Sequence, residues 1–159
     1  MEMEFFHTQG KGEKMKFTLI VDKTAEEEII AKVHSASELT SKIENLVLSY
    51  GGEDELIVQG DYEILPLKYE KIECITIIDR KLFVISEAGE RYRTNGTLTE
   101  IENKLPSYFI RINKSTLANE RRISSFKTTF SGGVDAVFKS GYKDYVSRRC
   151  FAEIKRRFS

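Results

Sequence analysis

Apolar and polar positions in the first third of the chain change period several times. The β-prone run KFTLIVD (16–22) predicts a strand. The stretches TAEE and SASE that follow are capping boxes, which predict helices beginning near Ala25 and near Ala36. Apolar residues of the second helix recur at helical spacing, and a Gly-Gly pair ends it. ELIVQGDYEILPL then predicts two short strands around Gly60 and Asp61.

The next stretch is dominated by alternation with period two. IECITII and KLFVISEAGERYRT predict strands with turns at Asp79 and Arg80 and again at Ala88 and Gly89. A third capping box opens the helix LTEIENKL, which Pro106 ends. Four further runs predict strands, and these are SYFIRIN, RRISSFK, GVDAVFK and KDYVS. A closing helix is predicted after Ser147, in which Phe151, Ile154 and Phe158 recur at core spacing.

These elements predict an α+β protein in three parts. Residues 1–14 are expected to be a disordered extension. Residues 15–66 form a small α/β module for dimerisation or regulation. Residues 67–159 form a mostly antiparallel β domain with short helices.

The net charge of zero hides a strong asymmetry between the two ends of the chain. Residues 111–159 hold 12 Lys+Arg against 4 Asp+Glu, a net charge of +8. Residues 1–110 hold 13 against 21, a net charge of −8. This division predicts a polyanion-binding C-terminal end, although chance and solubility are a simpler explanation of the same counts.

The sequence lacks the residues that enzymes and metal sites need. Cys74 and Cys150 form no CxxC or Cys/His cluster, and a buried free thiol explains each of them. Neither histidine, His7 or His34, lies where it could pair with a nucleophile, and no phosphate loop or dinucleotide fingerprint is present. The module around Asp22 is too short for a phosphorylation receiver. We therefore expect no enzyme activity, no cofactor and no metal, and the absence of an apolar span or signal core predicts a cytoplasmic protein.

Three basic clusters lie in predicted turns or at a helix start. They are DRK (79–81), the polar segment within RINKSTLAN (111–119) and SRR (147–149). A helix start that carries arginines suits phosphates and base edges, and the predicted strands between 107 and 146 disfavour a helix-turn-helix. Simpler explanations exist for some of these residues, since Ser115 can cap a turn and Lys155 suits a helix C-terminus.

Four segments together resemble the LytTR DNA-binding domain of bacterial transcription regulators. In order along the chain they are IECITIIDRKLFVIS, NGTLTEIENKLP, YFIRINKSTLAN and YVSRRCFAEIKRRF, and the resemblance covers about ninety residues. It implies a β fold whose loops enter successive major grooves, usually at direct repeats in promoters. The chain departs from the family at TLAN, where a bulkier residue usually precedes the Asn.

The resemblance also implies which residues contact double-stranded DNA. They are Arg80 or Lys81 in the first loop, Asn113, Lys114 and Ser115 in the second, and Arg149 with Arg148 at the last helix start. Members of the family carry His at the Arg80 position and Asn at the Lys114 position, so the base preference is expected to differ. Lys143 and Lys155 are expected to contact phosphate or only water.

The partners expected on this basis are promoter DNA, a second copy of the chain in a homodimer, and a small membrane protein that restrains the regulator. One alternative is a protein-interaction module whose basic end meets an acidic partner. A weaker alternative is binding of single-stranded nucleic acid, although most aromatic residues lie at core-like positions.

Overall fold

The computed structural model describes residues 2–9 and 13–157, which belong to two units, Met1–Lys32 and Val33–Ser159. In the first unit, β1 (Glu2–Gln9) and β2 (Glu13–Ile20) pair as an antiparallel hairpin in which Glu2 opposes Ile20. A strand therefore lies where the sequence predicts a disordered extension. The backbone hydrogen bonds of this strand come from its pairing with β2, and the local sequence of residues 1–14 contains no signal for that pairing.

The helix predicted near Ala25 is absent, and residues 26–33 have no regular structure. Asp22 explains part of this difference, because its carboxylate accepts hydrogen bonds from the Thr24 amide (2.9 Å) and the Thr24 hydroxyl (2.7 Å). This local turn competes with a helix start. Ile29 and Ile30 are both exposed, so a short helix there would gain no stability from burying an apolar face.

The second unit contains three helices and two antiparallel sheets. The helices are α1 (Glu38–Gly51), α2 (Leu98–Glu102) and α3 (Arg148–Arg157). Seven strands form the larger sheet in the order β4-β3-β7-β6-β5-β9-β8. Their bounds are β3 Glu55–Gln59, β4 Ile64–Lys68, β5 Ile72–Ile78, β6 Lys81–Ser86, β7 Arg91–Arg93, β8 Phe109–Asn113 and β9 Thr116–Asn119. The smaller sheet, in chain order, consists of β10 Ile123–Thr128, β11 Val134–Phe138 and β12 Lys143–Val146.

Two apolar clusters hold this unit together on opposite faces of the large sheet. One cluster, which includes Val58, Ile75 and Leu117, packs against α1 and α2. The other fills the space between the large sheet, the small sheet and α3, and its members include Phe138 and Ile154. The large sheet is therefore buried on both of its faces. Helices and antiparallel sheets together confirm the predicted α+β class.

The hairpin of β3 and β4 belongs to this same sheet, because Gln59 pairs with Arg93 of β7 and the Thr94 hydroxyl donates to the Ile57 carbonyl (3.1 Å). The boundary predicted between residues 66 and 67 instead falls inside β4. The physical reason is that Val58 shares the apolar cluster of Val84 and Tyr92, so the hairpin is buried against strands that the sequence assigns to the following domain.

The predicted helix near Ala36 begins two residues later, at Glu38. Ser37 is its N-cap, and its backbone amide donates to the Thr40 hydroxyl (2.9 Å). The helix ends at the predicted Gly-Gly pair, and Gly52 caps it in the left-handed conformation with φ 74°. At its first turns Arg121 Nε donates to the Ser41 hydroxyl (2.9 Å), which ties α1 to the loop after β9.

Other expectations for the second unit agree with the structure, with one omission. The two predicted turns, the helix after Thr97 and the closing helix are all present, and Ile154 is buried with Phe151 packed beside it. Phe158 lies outside the described residues. The omission is β9, whose four residues are all buried and therefore show no alternation that could mark a strand.

Candidate nucleic-acid interface

Three basic loops meet at one end of the seven-stranded sheet. The Ile77 amide donates to the Ser115 carbonyl (2.9 Å), which joins the β5–β6 turn to the β8–β9 turn. The Ser147 amide donates to the Ile112 carbonyl (2.8 Å), which joins the start of α3 to the same place. We call residues 79–81, 113–115 and 147–149 together the basic edge.

A buried polar network lies directly beneath the basic edge. The Thr76 and Thr116 hydroxyls are 2.7 Å apart, and Thr116 donates to the Asp144 carboxylate (2.6 Å). Because these residues lie on β5, β9 and β12, the network links strands that lead into each of the three loops. Fully satisfied networks of this kind fix the relative positions of the groups they join.

Asn113 belongs to that network rather than to the surface. It is 2% exposed, its amide nitrogen donates to the Tyr145 carbonyl (2.8 Å), and its amide oxygen accepts from the Ser115 amide (2.8 Å). The same nitrogen lies 3.4 Å from Asp144. In this geometry the polar atoms of Asn113 hold the β8–β9 turn against β12, and its direct contact with DNA stays a prediction.

The β5–β6 turn carries Arg80 in an uncommon backbone conformation. Asp79 has φ 51° and Arg80 has φ 65°, and the turn has only these two residues because Ile78 pairs with Lys81. Both residues are in the left-handed region that hairpin turns of this length require and that glycine or asparagine usually fills. Arg80 and Lys81 are exposed, so the turn presents two cations at the tip of the sheet.

The β8–β9 turn presents Lys114 to solvent, whereas Ser115 is half-buried. Arg111 stabilises this turn from behind. Its Nε pairs with Glu102 at the end of α2 (2.6 Å), and its guanidinium donates to the Lys114 carbonyl (2.9 Å). Arg111 therefore positions the turn.

The start of α3 is capped by Ser147. Its hydroxyl accepts from the Cys150 amide (3.2 Å), and its carbonyl accepts from the Phe151 amide (2.8 Å). Arg148 and Arg149 follow in the first turn and are both exposed. Cations at a helix N-terminus oppose the helix macrodipole, so their presence there costs some stability.

Two of the predicted residues lie outside the basic edge. Lys143 is at the opposite end of β12 from Ser147 and pairs across the strands with Val137. Lys155 lies near the end of α3, where its ammonium is 4.8 Å from the centre of the Phe151 ring. Neither residue is brought to the three loops by the contacts that join them.

The structure also places two arginines that the sequence did not single out. Arg91 and Arg93 point to the same face of β7, and the Arg93 guanidinium lies 5.6 Å from the centre of the Phe83 ring. They line a cavity of about 540 Å³ together with Gln59, Gly60, Asp61 and Phe83. In the sequence, the pattern RYR could have indicated both arginines, because residues on either side of a buried strand residue point to the opposite, exposed face.

The other titratable groups do not suggest catalysis. Cys74 is fully buried, and burial raises the pKa of its thiol, which keeps it protonated. Across residues 2–9 and 13–157, no three His, Cys, Asp or Glu side chains group in a way that could hold a metal ion. In the same described ranges no helix is both long enough and apolar enough to cross a membrane.

Comparison with known proteins assigns the second unit to a class of DNA-binding domain. Residues 62–159, more than half of the chain, match the family described as LytTr DNA-binding domain. The chain therefore belongs to the LytTR family, and the resemblance seen in the sequence is confirmed. This family is a class of DNA-binding domain rather than a class of enzyme, and its function is DNA-binding transcriptional regulation.

Relatives and a solved structure agree with this assignment. The chain is 28% identical over 137 residues to the sensory transduction protein LytT of Enterococcus faecalis, covering 84% of this chain and 56% of that protein, so it spans about half of that relative's length. It is 25% identical over 148 residues to an uncharacterized HTH-type transcriptional regulator of Staphylococcus aureus, covering 91% of this chain and 99% of the relative.

A LytTr DNA-binding domain from Bacillus cereus superposes with a TM-score of 0.60 at 19% identity, covering 67% of this chain and 97% of that domain. At this identity the likeness supports the fold alone. In the part of the chain that the structure describes, five strands separate α1 from α2 and five separate α2 from α3, so no pair of helices forms a helix-turn-helix.

Proposed function

We propose that the protein is a sequence-specific regulator that inserts the basic edge into the major groove of promoter DNA. The observation that carries this proposal is the convergence of three basic loops, from separate parts of the sequence, over one buried polar network. Such a network supports base reading because it holds exposed side chains in a fixed relative geometry. A charged surface that serves only solubility would not require a buried network that fixes the positions of its side chains.

Within this proposal Arg149 and Arg80 read bases, and Lys114 contacts a base or a phosphate. Arginine forks bidentately onto the O6 and N7 atoms of guanine, which is worth about 1–3 kcal/mol of discrimination. Lys81, Arg148 and Ser115 flank these three side chains and are suited to phosphate oxygens. Lys143 and Lys155 lie farther away, so in this proposal they contribute only to phosphate attraction.

The setting in which the protein works is also part of the proposal. The protein acts in the cytoplasm on promoter repeats, in the direct orientation that the family resemblance implies, and it forms a homodimer. The resemblance also implies a small membrane protein that restrains the regulator. The repeats can be tested with paired half-sites in direct and inverted order, and the membrane partner by co-purification of the product of a neighbouring gene.

Sequence-specific binding is tested by a mobility shift on the DNA upstream of the protein's own gene, with random duplex as competitor. Arg149→Ala should weaken specific binding by about 1–3 kcal/mol and leave binding to random duplex nearly unchanged. Arg156→Ala is the matched control, because this arginine is exposed on the same helix but lies in its last turn. Equal affinity for random and specific DNA would reject the proposal and favour an acidic protein partner for the basic end.

A further inference from the structure

Helix α1 packs against the rest of the second unit through a face that is mostly polar. The residues of this face follow one side of the helix and are Ser41, Glu44, Asn45 and Leu48. The Ser107 hydroxyl and amide both donate to the Glu44 carboxylate, the hydroxyl at 2.7 Å, and the Tyr108 hydroxyl donates to Asn45 Oδ1 (2.6 Å). The helix is therefore held by directional hydrogen bonds, with Leu48 as its contact to the apolar cluster.

The opposite side of α1 is apolar and faces outward. We call it the outer stripe, and its residues are Leu39, Ile43, Leu46, Val47 and Tyr50. Leu46, Val47 and Tyr50 are exposed, by 65%, 45% and 90%, and Leu39 and Ile43 on the same side are half-buried. A surface helix normally turns its apolar side inward and its polar side to water, so this arrangement is reversed. An exposed apolar patch of this kind, continued by half-buried apolar side chains, marks an interaction surface.

We propose that the outer stripe binds the α1 helix of a second copy of the chain in an antiparallel pair. The homodimer is part of the proposed function, and this inference names the surface that forms it. The two-fold axis crosses the outer stripe at the height of the Glu44–Asn45 peptide. In this register Leu39 of one copy faces Tyr50 of the other, and Ile43 faces Leu46.

The spacing of the stripe is what identifies a second copy as the occupant. A closed two-fold dimer uses the same surface patch on both copies, so the patch must map onto itself when it is reversed. Four of its residues, 39, 43, 46 and 50, do so, since their spacing reads the same in both directions and each then meets an apolar residue, whereas Val47 lies at the margin and meets Lys42. Alternating steps of four and three are also the spacing of paired helices.

The charges and dimensions of α1 are consistent with this pair. Lys42 and Glu38 flank the stripe and pair with each other at 3.3 Å within one helix, so no like charges are forced together. A helix of 14 residues is about 21 Å long. A single pair of helices of this length is a small contact beside the roughly 800 Å² per partner of a standard interface, so we expect a dimer that dissociates on dilution in the micromolar range.

The pair leaves the basic edge of each copy open. Helix α1 contacts Ser107, Tyr108 and Arg121, which precede β8 and follow β9, whereas the basic edge lies at the other ends of these strands. A two-fold pair presents its two edges in opposite orientations. We therefore expect the outer stripe to promote cooperative binding at inverted half-sites, whereas copies on a direct repeat bind without sharing this contact.

Sedimentation of the full chain over about 1–100 µM tests the pair directly. The wild-type chain should pass from monomer to dimer, and Leu46→Glu should weaken dimerisation by at least about tenfold, since it places a carboxylate in the contact. Ile57→Glu is the matched control, because Ile57 is also exposed, at 59%, and lies on β3 away from the helix. Affinity for a single half-site verifies that each variant is folded, and Leu46→Glu should leave it unchanged.

A mixing experiment tests the register of the pair. Leu39→Lys and Tyr50→Glu should each abolish the homodimer, and an equimolar mixture should restore a dimer in which the new lysine faces the new glutamate. A wild-type monomer at 100 µM, equal loss of dimer in Ile57→Glu, or no rescue on mixing would each overturn the inference. Since the readout is mass, these outcomes are distinct from failure of the DNA-binding proposal, in which Arg149→Ala would not change specificity.

Discussion

Arginines occur at both ends of the seven-stranded sheet, but their surroundings differ. At the end that α1 contacts, Arg122 pairs with buried Glu73 and with Glu87, and Arg157 lies 3.4 Å from Glu120. At the basic edge, Arg80, Arg148 and Arg149 form no ion pair with any carboxylate of the described part of the chain. The excess positive charge is thus neutralised at one end and left available at the other. Local pairing, rather than the number of cations, distinguishes a binding surface from a structural one.

The largest expected effect on stability lies at the neutralised end. Glu73 is fully buried, and its carboxylate accepts from Arg122 Nε (3.3 Å) and from the Ser140 amide (3.0 Å). Glu73→Ala should lower the free energy of unfolding by about 3–5 kcal/mol, because it removes the buried half of the Arg122 ion pair, leaves Arg122 with only Glu87, and deprives the Ser140 amide of its acceptor. Urea unfolding measures this loss.

The same variant sharpens the contrast between the two ends. At a temperature where the Glu73→Ala variant remains folded, its DNA specificity should equal that of the wild-type chain. A change in base preference would show that the two ends of the sheet do not act separately.

The next effect concerns the network under the basic edge. Asn113→Ala should cost about 1–3 kcal/mol of stability, because the Tyr145 carbonyl and Ser115 amide lose a buried partner. Specific DNA binding should fall as well, although Asn113 contacts no solvent, since the turn that carries Lys114 would no longer be fixed. Thermal unfolding and a mobility shift on the same samples measure both effects. Loss of stability with unchanged DNA affinity would remove the positioning role.

Arg80 should show effects of opposite sign on stability and binding. Arg80→Gly should raise stability by about 1 kcal/mol, because glycine adopts the left-handed conformation of this turn without steric cost. The same change should reduce discrimination between DNA sequences by about 1–3 kcal/mol if Arg80 reads a guanine. Strain retained at an exposed arginine is the pattern expected where function opposes stability. A variant that is more stable and equally specific would show that Arg80 has no reading role.

Most of the second unit follows from local sequence signals, because most of its strands are β-prone runs bounded by turn residues and its helices carry caps. The features that local signals do not show are those that long-range contacts decide. The family resemblance implies a DNA contact for Asn113, which stays a prediction, and only the packing of β12 against β8 shows that its side chain is buried. Similarly, the apolar spacing of α1 was visible in the sequence, but the outward direction of that face depends on hydrogen bonds to Ser107 and Tyr108.

The smallest expected effect separates general charge attraction from base reading. Lys143 is exposed and lies away from the basic edge, so Lys143→Gln should weaken specific and random DNA binding equally. If its ammonium contacts a phosphate, the slope of log affinity against log salt should become shallower by about one unit. If it is only solvated, the slope should not change.

Arg149→Ala, measured at the same salt concentrations, provides the comparison, because loss of a base-reading arginine should change the preference among sequences far more than the salt dependence. A Lys143→Gln variant with altered sequence preference would extend the reading surface beyond the three loops and along β12.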